Sequence, residues 1–547
     1  MDYNKLADLL FPEVDKTPDY WENKYKDRKL PQGAEVTRYA PSPTGFVHFG
    51  ALFATLVNKL TAKKTNGVVF LRIEDTDKKR EVDGGVSGIV NTLKSFDIDF
   101  DEGATFGGEY GPYIQSEREE IYKTYAKELV RQGKAYPCFC SEQDLNEMRE
   151  TQEKNKENSG YYGKYAKCRN LTFEEVEQKI KNGEKFALRF KCPYGENDKV
   201  EINDLIRGTR IIPQNINDVV IVKSNGLPPY NLAHVIDDHL MKTTVVIRGD
   251  EWFPSLSEHL QLFEAFGFTP PKYAHISPIQ KLDENGNRRK LSKRKDPEAN
   301  MDFFAENGYP IGAVKDYLMT LINSDFEDWR ANNPTASIYD FDFSLNKMSA
   351  SGSLFDIVKL TDISKNYISH LTNTEVYALA LEWAEKYDQK LFESLNNNKE
   401  YWHGILNIDR DQPKPRKDIS HFKEIYNIYE YMFDENFDGN VVFPEKFQKE
   451  DIKKVLTQYL NYYDENDDQQ TWFNKIKDLS EQIGYAREVK MFKQNPESYR
   501  GHCGDVSTII RVAVTGREQT PNLYDILKLL GKTRLQNRFS KVLEKMS

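Results

Sequence analysis

The sequence predicts an α/β chain in which a doubly wound parallel sheet is interrupted by an α+β insertion and followed by an all-α C-terminal part. Three observations carry this. Residues 38–73 read as strand, turn, helix, strand. Pro41 and Pro43 hold an extended entry, and Thr44-Gly45 turns it. Leu52, Leu56 and Leu60 then recur at helical spacing until Asn66-Gly67. The run at 68–73 is apolar almost throughout, as in strands buried on both faces of a parallel sheet. The same order returns later, with strands at 219–223 and 244–248 around a helix over 230–239. From about residue 300, apolar residues three and four apart replace strand-like runs. Strand–helix–strand units of this kind make a Rossmann-like domain, whose ligands sit at the carboxyl ends of its strands.

Composition bounds the rest. A chain of 547 residues is too long for one core, and 39% hydrophobic residues suffice for several. The net charge of −10 argues against nucleic-acid binding by overall basicity, although 76 Lys and Arg can gather on one face. There is no apolar run long enough for a membrane helix, and the polar start does not read as a signal peptide. Five cysteines are too few for a disulfide framework and fit a reducing, cytoplasmic setting.

Residues 1–34 read as an amphipathic helix and a charged linker. The helix after 38–48 opens on His48-Phe-Gly50, where free backbone N–H groups and the positive dipole end suit a phosphate. On spacing alone His-x-Gly is equally a turn before a core helix. The second strand ends in Glu74-Asp-Thr-Asp77, which is either a solvated turn or an acidic wall of the same crevice. Ser116-Glu-Arg-Glu119 and Thr172-Phe-Glu-Glu175 spell capping boxes. Cys138, Cys140 and Cys168 are spaced as metal ligands or as small buried side chains. Arg248 ends a strand, as a ligand group or an ion pair. Residues 288–295 are a basic run of six charges after the flexible Asp283-Glu-Asn-Gly-Asn287, and Lys414-Pro-Arg-Lys417 is a second basic loop.

The wording of 38–50, Arg-Tyr-Ala-Pro-Ser-Pro-Thr-Gly-Phe-Val-His-Phe-Gly, closely resembles the first signature of the glutamyl-tRNA synthetases, class I aminoacyl-tRNA synthetases. Residues 71–77, 230–239 and 248–252 resemble the same family, and Lys290-Leu-Ser-Lys-Arg294 matches its second signature. Residues 511–538 resemble the C-terminal helical module of its bacterial type. The resemblance implies ATP-dependent activation of L-glutamate, with Mg²⁺, and transfer to the 3′ end of tRNA(Glu). His48, Lys290 and Lys293 are then catalytic. ATP is held by His48, Gly50, Glu251, Lys290, Leu291, Ser292, Lys293 and Arg294, and glutamate by Arg38, Ala40, Ser42, Glu74, Tyr230, His234 and Arg248. Ala51 replaces a usual second glycine, and His234 stands where the family often has Asn. Glutaminyl-tRNA synthetases do not keep the equivalent of Arg248, so glutamine specificity is the weaker alternative. Charging of tRNA(Gln) with glutamate and a non-catalytic tRNA-binding relative also stay open. Some members bind zinc through Cys-x-Cys, a Tyr and a later Cys. Here Cys138, Cys140 and Cys168 match, and the fourth ligand is open between Tyr165 and Cys192. The implied organisation is an extension (1–34), two halves of the catalytic domain (35–112 and 218–295), a tRNA acceptor-binding insertion (113–217), a helical stem-contact region (296–370) and a helical anticodon-binding domain (371–547), in a monomer.

Overall fold

The structure, a computed structural model, describes residues 1–43, 47–77, 82, 84–292 and 294–546, so the expected Thr44-Gly45 turn lies outside the described residues. Two compact units emerge: residues 1–303 with 318–356, and residues 304–317 with 357–547.

The first unit begins with α1 (Tyr3–Leu10) and α2 (Pro18–Lys24). The expected strand–helix–strand follows as β1 (Val36–Tyr39), α3 (Phe49–Lys64) and β2 (Val68–Leu71). β1 and β2 pair in parallel from Val36 opposite Val68 to Tyr39 opposite Leu71. α4 (Gly85–Ser95) leads to the short β3 (Glu102–Gly103), which is parallel to β2. α5 (Glu119–Arg131) comes next. Ser116 does not cap it. The Ser116 N–H and hydroxyl go instead to Asp75, at 2.8 and 2.5 Å, and a 3-10 turn over Gln115–Arg118 precedes the helix.

The insertion contains β4 (Ala135–Cys138), α6 (Glu142–Lys154), α7 (Phe173–Lys181), β5 (Ala187–Phe190), β6 (Lys199–Asp204), β7 (Gly208–Pro213) and β8 (Val220–Val222). Thr172 and Glu175 form the expected box on α7. The strand expected at 219–223 does not open the second half of the nucleotide-type sheet. It is β8, antiparallel to β5 in a β4-β5-β8 sheet. Buried Asp218 fixes it there, accepting from the Tyr136 hydroxyl at 2.6 Å and the Cys192 N–H at 2.8 Å.

The return to the main sheet runs through α8 (Tyr230–Leu240), β9 (Val245–Gly249), α9 (Leu256–Phe266) and β10 (Lys272–Ile276). β9 and β10 are parallel, with Arg248 opposite His275, and β6 pairs in parallel on the far side of β10. β1 and β9 lie side by side. Val36 N–H donates to the Thr244 hydroxyl at 2.8 Å, and Thr244 N–H to the Val36 carbonyl at 2.9 Å. The order β3-β2-β1-β9-β10 changes direction between β1 and β9, and a doubly wound sheet opens its crevice there. The hairpin of β11 (Gln280–Leu282) and β12 (Arg288–Lys290) follows.

The N-terminal helices are part of this unit's core. Leu6, Leu10, Phe11, Trp21 and Tyr25 are buried in one cluster with Tyr122, Tyr125 and Leu129 of α5 and Ile236 and Leu240 of α8. Trp21 Nε1–H donates to the Thr124 hydroxyl at 3.2 Å, and Lys127 caps the carbonyls of Phe11 and Val14 at 3.0 and 2.9 Å. Arg28 grips Glu102 with two bonds of 2.7 and 3.0 Å and covers the Tyr110 ring at 3.8 Å. The segment is a strap across α5 and α8.

The second unit carries no strand among its described residues. Trp402, Tyr429, Tyr459 and Ile510 lie in one buried cluster. Gly531, at φ 71°, breaks the helix Leu523–Lys545. Arg416, in the basic loop at 414–417, turns inward to Asp418 at 2.9 Å and to the Tyr429 hydroxyl at 2.5 Å.

If the strap belongs to the core, Trp21→Ala leaves a cavity and lowers unfolding stability by about 3 kcal/mol or more, measured by urea denaturation. A loss under about 1 kcal/mol would make the strap a surface appendage.

Candidate active site

One cavity of about 810 Å³ opens at the carboxyl ends of β1 and β9. Arg38, Ala40, Ser42, Glu74, Tyr230 and Arg248 line it, and so do His48, Gly50, Glu251, Lys290, Leu291 and Ser292. Twelve residues from five distant stretches therefore meet in one crevice. Arg294 is exposed and does not line it. Lys293 lies outside the described residues.

Each wall has a local cause. His48 is the N-cap of α3, and its Nδ1 accepts from the Ala51 N–H at 3.0 Å. An accepting Nδ1 leaves the proton of a neutral ring on Nε2. A Cβ at Gly50 would meet His48 Cε1 at 3.0 Å and Nδ1 at 3.1 Å, so glycine is what lets the imidazole fold over the helix mouth. Lys290 closes β12 opposite Gln280 of β11. Arg289 is absorbed by Asp296 through two bonds of 2.6 Å, which lowers the Asp296 pKa, so the basic run brings fewer free charges to the cavity than its composition suggests.

Behind the cavity sits a buried charge network. Asp238 of α8 accepts from Arg38 Nε at 3.2 Å and Arg72 Nη1 at 2.7 Å. Arg72 Nη2 donates to Glu74 at 3.0 Å. Neighbouring Asp237 accepts from Arg118 at 2.7 Å, Gln115 at 2.9 Å and the Tyr122 hydroxyl at 2.8 Å. The two guanidiniums hold the Asp238 pKa well below the usual carboxylate range despite burial. For Glu74 burial wins and the pKa rises. Glu74 therefore loses its charge before an ordinary glutamate does as pH falls, and an arriving cation restores it.

Arg248 is different. It is buried, and its Nε donates to His275 Nε2 at 3.0 Å, Nη1 to the Tyr230 hydroxyl at 3.2 Å, and Nη2 to His259 Nδ1 at 3.2 Å and the Trp252 carbonyl at 3.5 Å. Among the described residues no carboxylate pairs with it. His234, expected as a pocket wall, does not line the cavity. One helical turn beyond Tyr230, it stacks under that ring at 5.2 Å, with Nδ1 2.6 Å from Asp238. Burial pushes its pKa down to about 3, so it is a neutral spacer. His259 and His275 carry no motif. The pairing of β9 with β10 reveals His275, and a sequence reading that extended its register would have met it.

The cysteine cluster is separate. The sulfurs of Cys138, Cys140 and Cys168 lie within 4.8 Å of one another. The aromatic partner is Tyr161, whose hydroxyl is 3.5 Å from Cys138 and 3.3 Å from Cys140. Tyr165 points to Glu157, and Cys192 to the Asn215 carbonyl at 2.9 Å, so neither expected fourth ligand is at the cluster. The sequence reading left the fourth ligand between Tyr165 and Cys192 and did not single out Tyr161.

Comparison with known proteins agrees with this geometry. Residues 35–362 match the model of tRNA synthetases class I (E and Q), catalytic domain, and residues 375–543 match an anticodon binding domain. A glutamate–tRNA ligase of Acetivibrio thermocellus is 47% identical over 99% of this chain and 100% of its own. One from Clostridium perfringens is 45% identical over the same shares. The crystal structure of a glutamate tRNA ligase from Elizabethkingia meningosepticum in complex with its amino acid superposes with a TM-score of 0.74, at 28% identity, covering 94% of this chain and 100% of that one.

Asp238→Asn leaves Arg38 and Arg72 buried without their shared carboxylate. The expected cost is about 3–5 kcal/mol of stability at neutral pH, read by chemical denaturation. Because the wild-type carboxylate titrates below its unfolded value, its contribution is present above about pH 4 and is lost as pH falls through the folded value, so the two proteins converge in strong acid. Equal stability at neutral pH would show that the network is not held by this carboxylate.

Proposed function

The chain belongs to the class I tRNA synthetases for glutamate and glutamine, on the glutamate–tRNA ligase branch, and on that premise we propose how its crevice divides the work. Glutamate is joined to tRNA(Glu) in two steps driven by ATP, which is carried with Mg²⁺. An α-carboxylate oxygen of glutamate attacks the α-phosphorus, the bond to the bridging oxygen breaks, and pyrophosphate leaves. A ribose hydroxyl at the tRNA 3′ end then attacks the adenylate carbonyl, and AMP leaves. No covalent enzyme intermediate is needed, so the residues act by position and phosphate electrostatics.

Arg248 and Tyr230 take the side-chain carboxylate, Glu74 takes the ammonium group, and Arg38 walls the pocket with Ala40 and Ser42. The observation that carries this reading is the buried guanidinium of Arg248 with no carboxylate among its partners. Glutamate supplies the missing charge, whereas the neutral amide of glutamine leaves it uncompensated in a buried site. The phosphates lie at the amino end of α3, with His48 Nε2–H and Gly50. Lys290, together with Lys293, neutralises the leaving pyrophosphate, and Glu251 meets the ribose. The insertion holds the acceptor end, and the second unit reads the anticodon. The five free thiols fit the cytoplasm.

Cys138, Cys140, Cys168 and Tyr161 supply the four donors of a structural zinc site, which would tie the end of β4 to the turn at Lys167–Asn170. Metal analysis should find about one zinc per chain. Tyr161→Phe should lose it to a chelator faster than Tyr165→Phe, and equal loss would remove Tyr161 as a ligand.

The decisive assay is parallel charging of tRNA(Glu) and tRNA(Gln) transcripts with labelled glutamate and glutamine. Glutamate on tRNA(Glu) is expected, and glutamate on both would mark a permissive enzyme. Arg248→Gln should lower kcat/KM for glutamate by about 100-fold and narrow its preference over glutamine. An unchanged ratio would sink the assignment of Arg248.

A further inference from the structure

Of the five buried arginines described in this unit, three are paired with carboxylates. Arg38 and Arg72 share Asp238, and Arg118 has Asp237 at 2.7 Å. Arg189 donates instead to the Asp218 backbone carbonyl at 2.7 Å, away from the cavity, whereas Arg248 lines the cavity without a carboxylate, and its acceptors explain how. His275 is wholly buried beside it, and its Nδ1 lies 2.7 Å from Asp204 Oδ2. A carboxylate can only accept, so the Nδ1 proton points to Asp204 and Nε2 keeps a lone pair for Arg248 Nε. His259 is also wholly buried, and its Nε2 lies 3.0 Å from Asn231 Oδ1. The Asn231 amide nitrogen donates to Glu258 at 2.6 Å, which fixes Oδ1 as the acceptor. The His259 proton is therefore on Nε2, and its Nδ1 accepts from Arg248 Nη2.

Both rings thus present a bare nitrogen to the guanidinium, in opposite tautomers set by different neighbours. Burial lowers both pKa values, and the charge of Arg248 lowers them further. The carboxylate of Asp204 is kept one imidazole away from Arg248. The guanidinium is oriented on several sides by partners that carry no negative charge.

We propose that His259 and His275 are specificity-determining positioning residues, which hold Arg248 by neutral acceptors so that its charge stays uncompensated until the substrate's side-chain carboxylate arrives. The inference rests on the reading that Arg248 takes that carboxylate. It adds that glutamate preference is set by the uncharged state of these two side chains as well as by the arginine. A carboxylate at either position would give Arg248 an internal partner, remove the need for the substrate's charge, and favour a neutral side chain.

The test uses near-isosteric pairs in the full chain. Asn presents an oxygen near the Nδ1 position and Asp presents the same oxygen with charge, so His259→Asn is compared with His259→Asp. Gln and Glu do the same for Nε2, so His275→Gln is compared with His275→Glu. Each charged variant should show a ratio of kcat/KM for glutamate over glutamine lower by about 100-fold than its neutral sibling, through KM for glutamate and not KM for ATP. Equal ratios within both pairs would overturn the proposal and leave the histidines a packing role. Arg248→Gln separates the two levels: if it leaves the ratio unchanged, the underlying reading fails, whereas a collapsed ratio there with equal ratios within the pairs sinks the inference alone. If the charged variants do not fold, nitrogen NMR of the wild-type protein decides at neutral pH. Neutral rings, with the proton on Nδ1 of His275 and Nε2 of His259, are expected, and an imidazolium at either position would overturn the proposal.

Discussion

Two adjacent carboxylates on one helix, Asp237 and Asp238, hold three arginines that come from three separate segments of the chain. Successive helical residues point about 100° apart, so neighbours in sequence serve different partners. Asp238 reaches Arg38 at the start of the fold and Arg72 beyond β2, while Asp237 reaches Arg118 before α5. Each of these charges is costly to bury and tolerable only when paired. The network therefore adds little net stability, but it penalises any arrangement in which β1, β2, α5 and α8 are not in register. Arg38 and Glu74 face the cavity because they are the near ends of this network.

Against that background the crevice is a place where charge pairing is left incomplete. Glu74 is held by Arg72 yet is driven toward its neutral form by burial. Arg248 is held by imidazoles, a phenol and a carbonyl. In the proposed reading, an amino acid with one ammonium group and an acidic side chain would complete both. Selectivity is then a property of what the protein withholds, since a site already balanced internally would accept a neutral ligand as readily.

Much of this was legible before any coordinates. Hydrophobic runs and helical spacing located α3, β2, α8 and β9 to within a residue or two, because buried parallel strands and amphipathic helices leave local signals. The signature segments at 38–50, 230–239, 248–252 and 290–294 supply more than half of the cavity wall, while Ile276–Ile279 and Ala299 line it without having been singled out. What was not legible depends on pairing between distant segments. Nothing local says that Val220–Val222 joins β5, because a three-residue strand goes where an edge is free. His234 sits where a pocket residue is expected, but its helix turns it under Tyr230 and onto Asp238. Ser116 has the spelling of a cap, yet Asp75, forty-one positions earlier, competes for it and wins. His259 and His275 stand out only once β9 and β10 are side by side.

The strap at the amino terminus bears on how the chain is made. Its apolar residues leave the ribosome well before their partners on α5 and α8, the latter at Tyr230–Leu240. At roughly 5–20 residues per second, Trp21 and Phe11 wait on the order of ten seconds or more for Ile236 and Leu240. During that interval the nascent chain carries an exposed aromatic and aliphatic face that it cannot cover by local contacts. The same long-range closure that ties the strap to α5 and α8 leaves its apolar face dependent on partners made much later, so chains truncated before α8 are prone to aggregate rather than to fold.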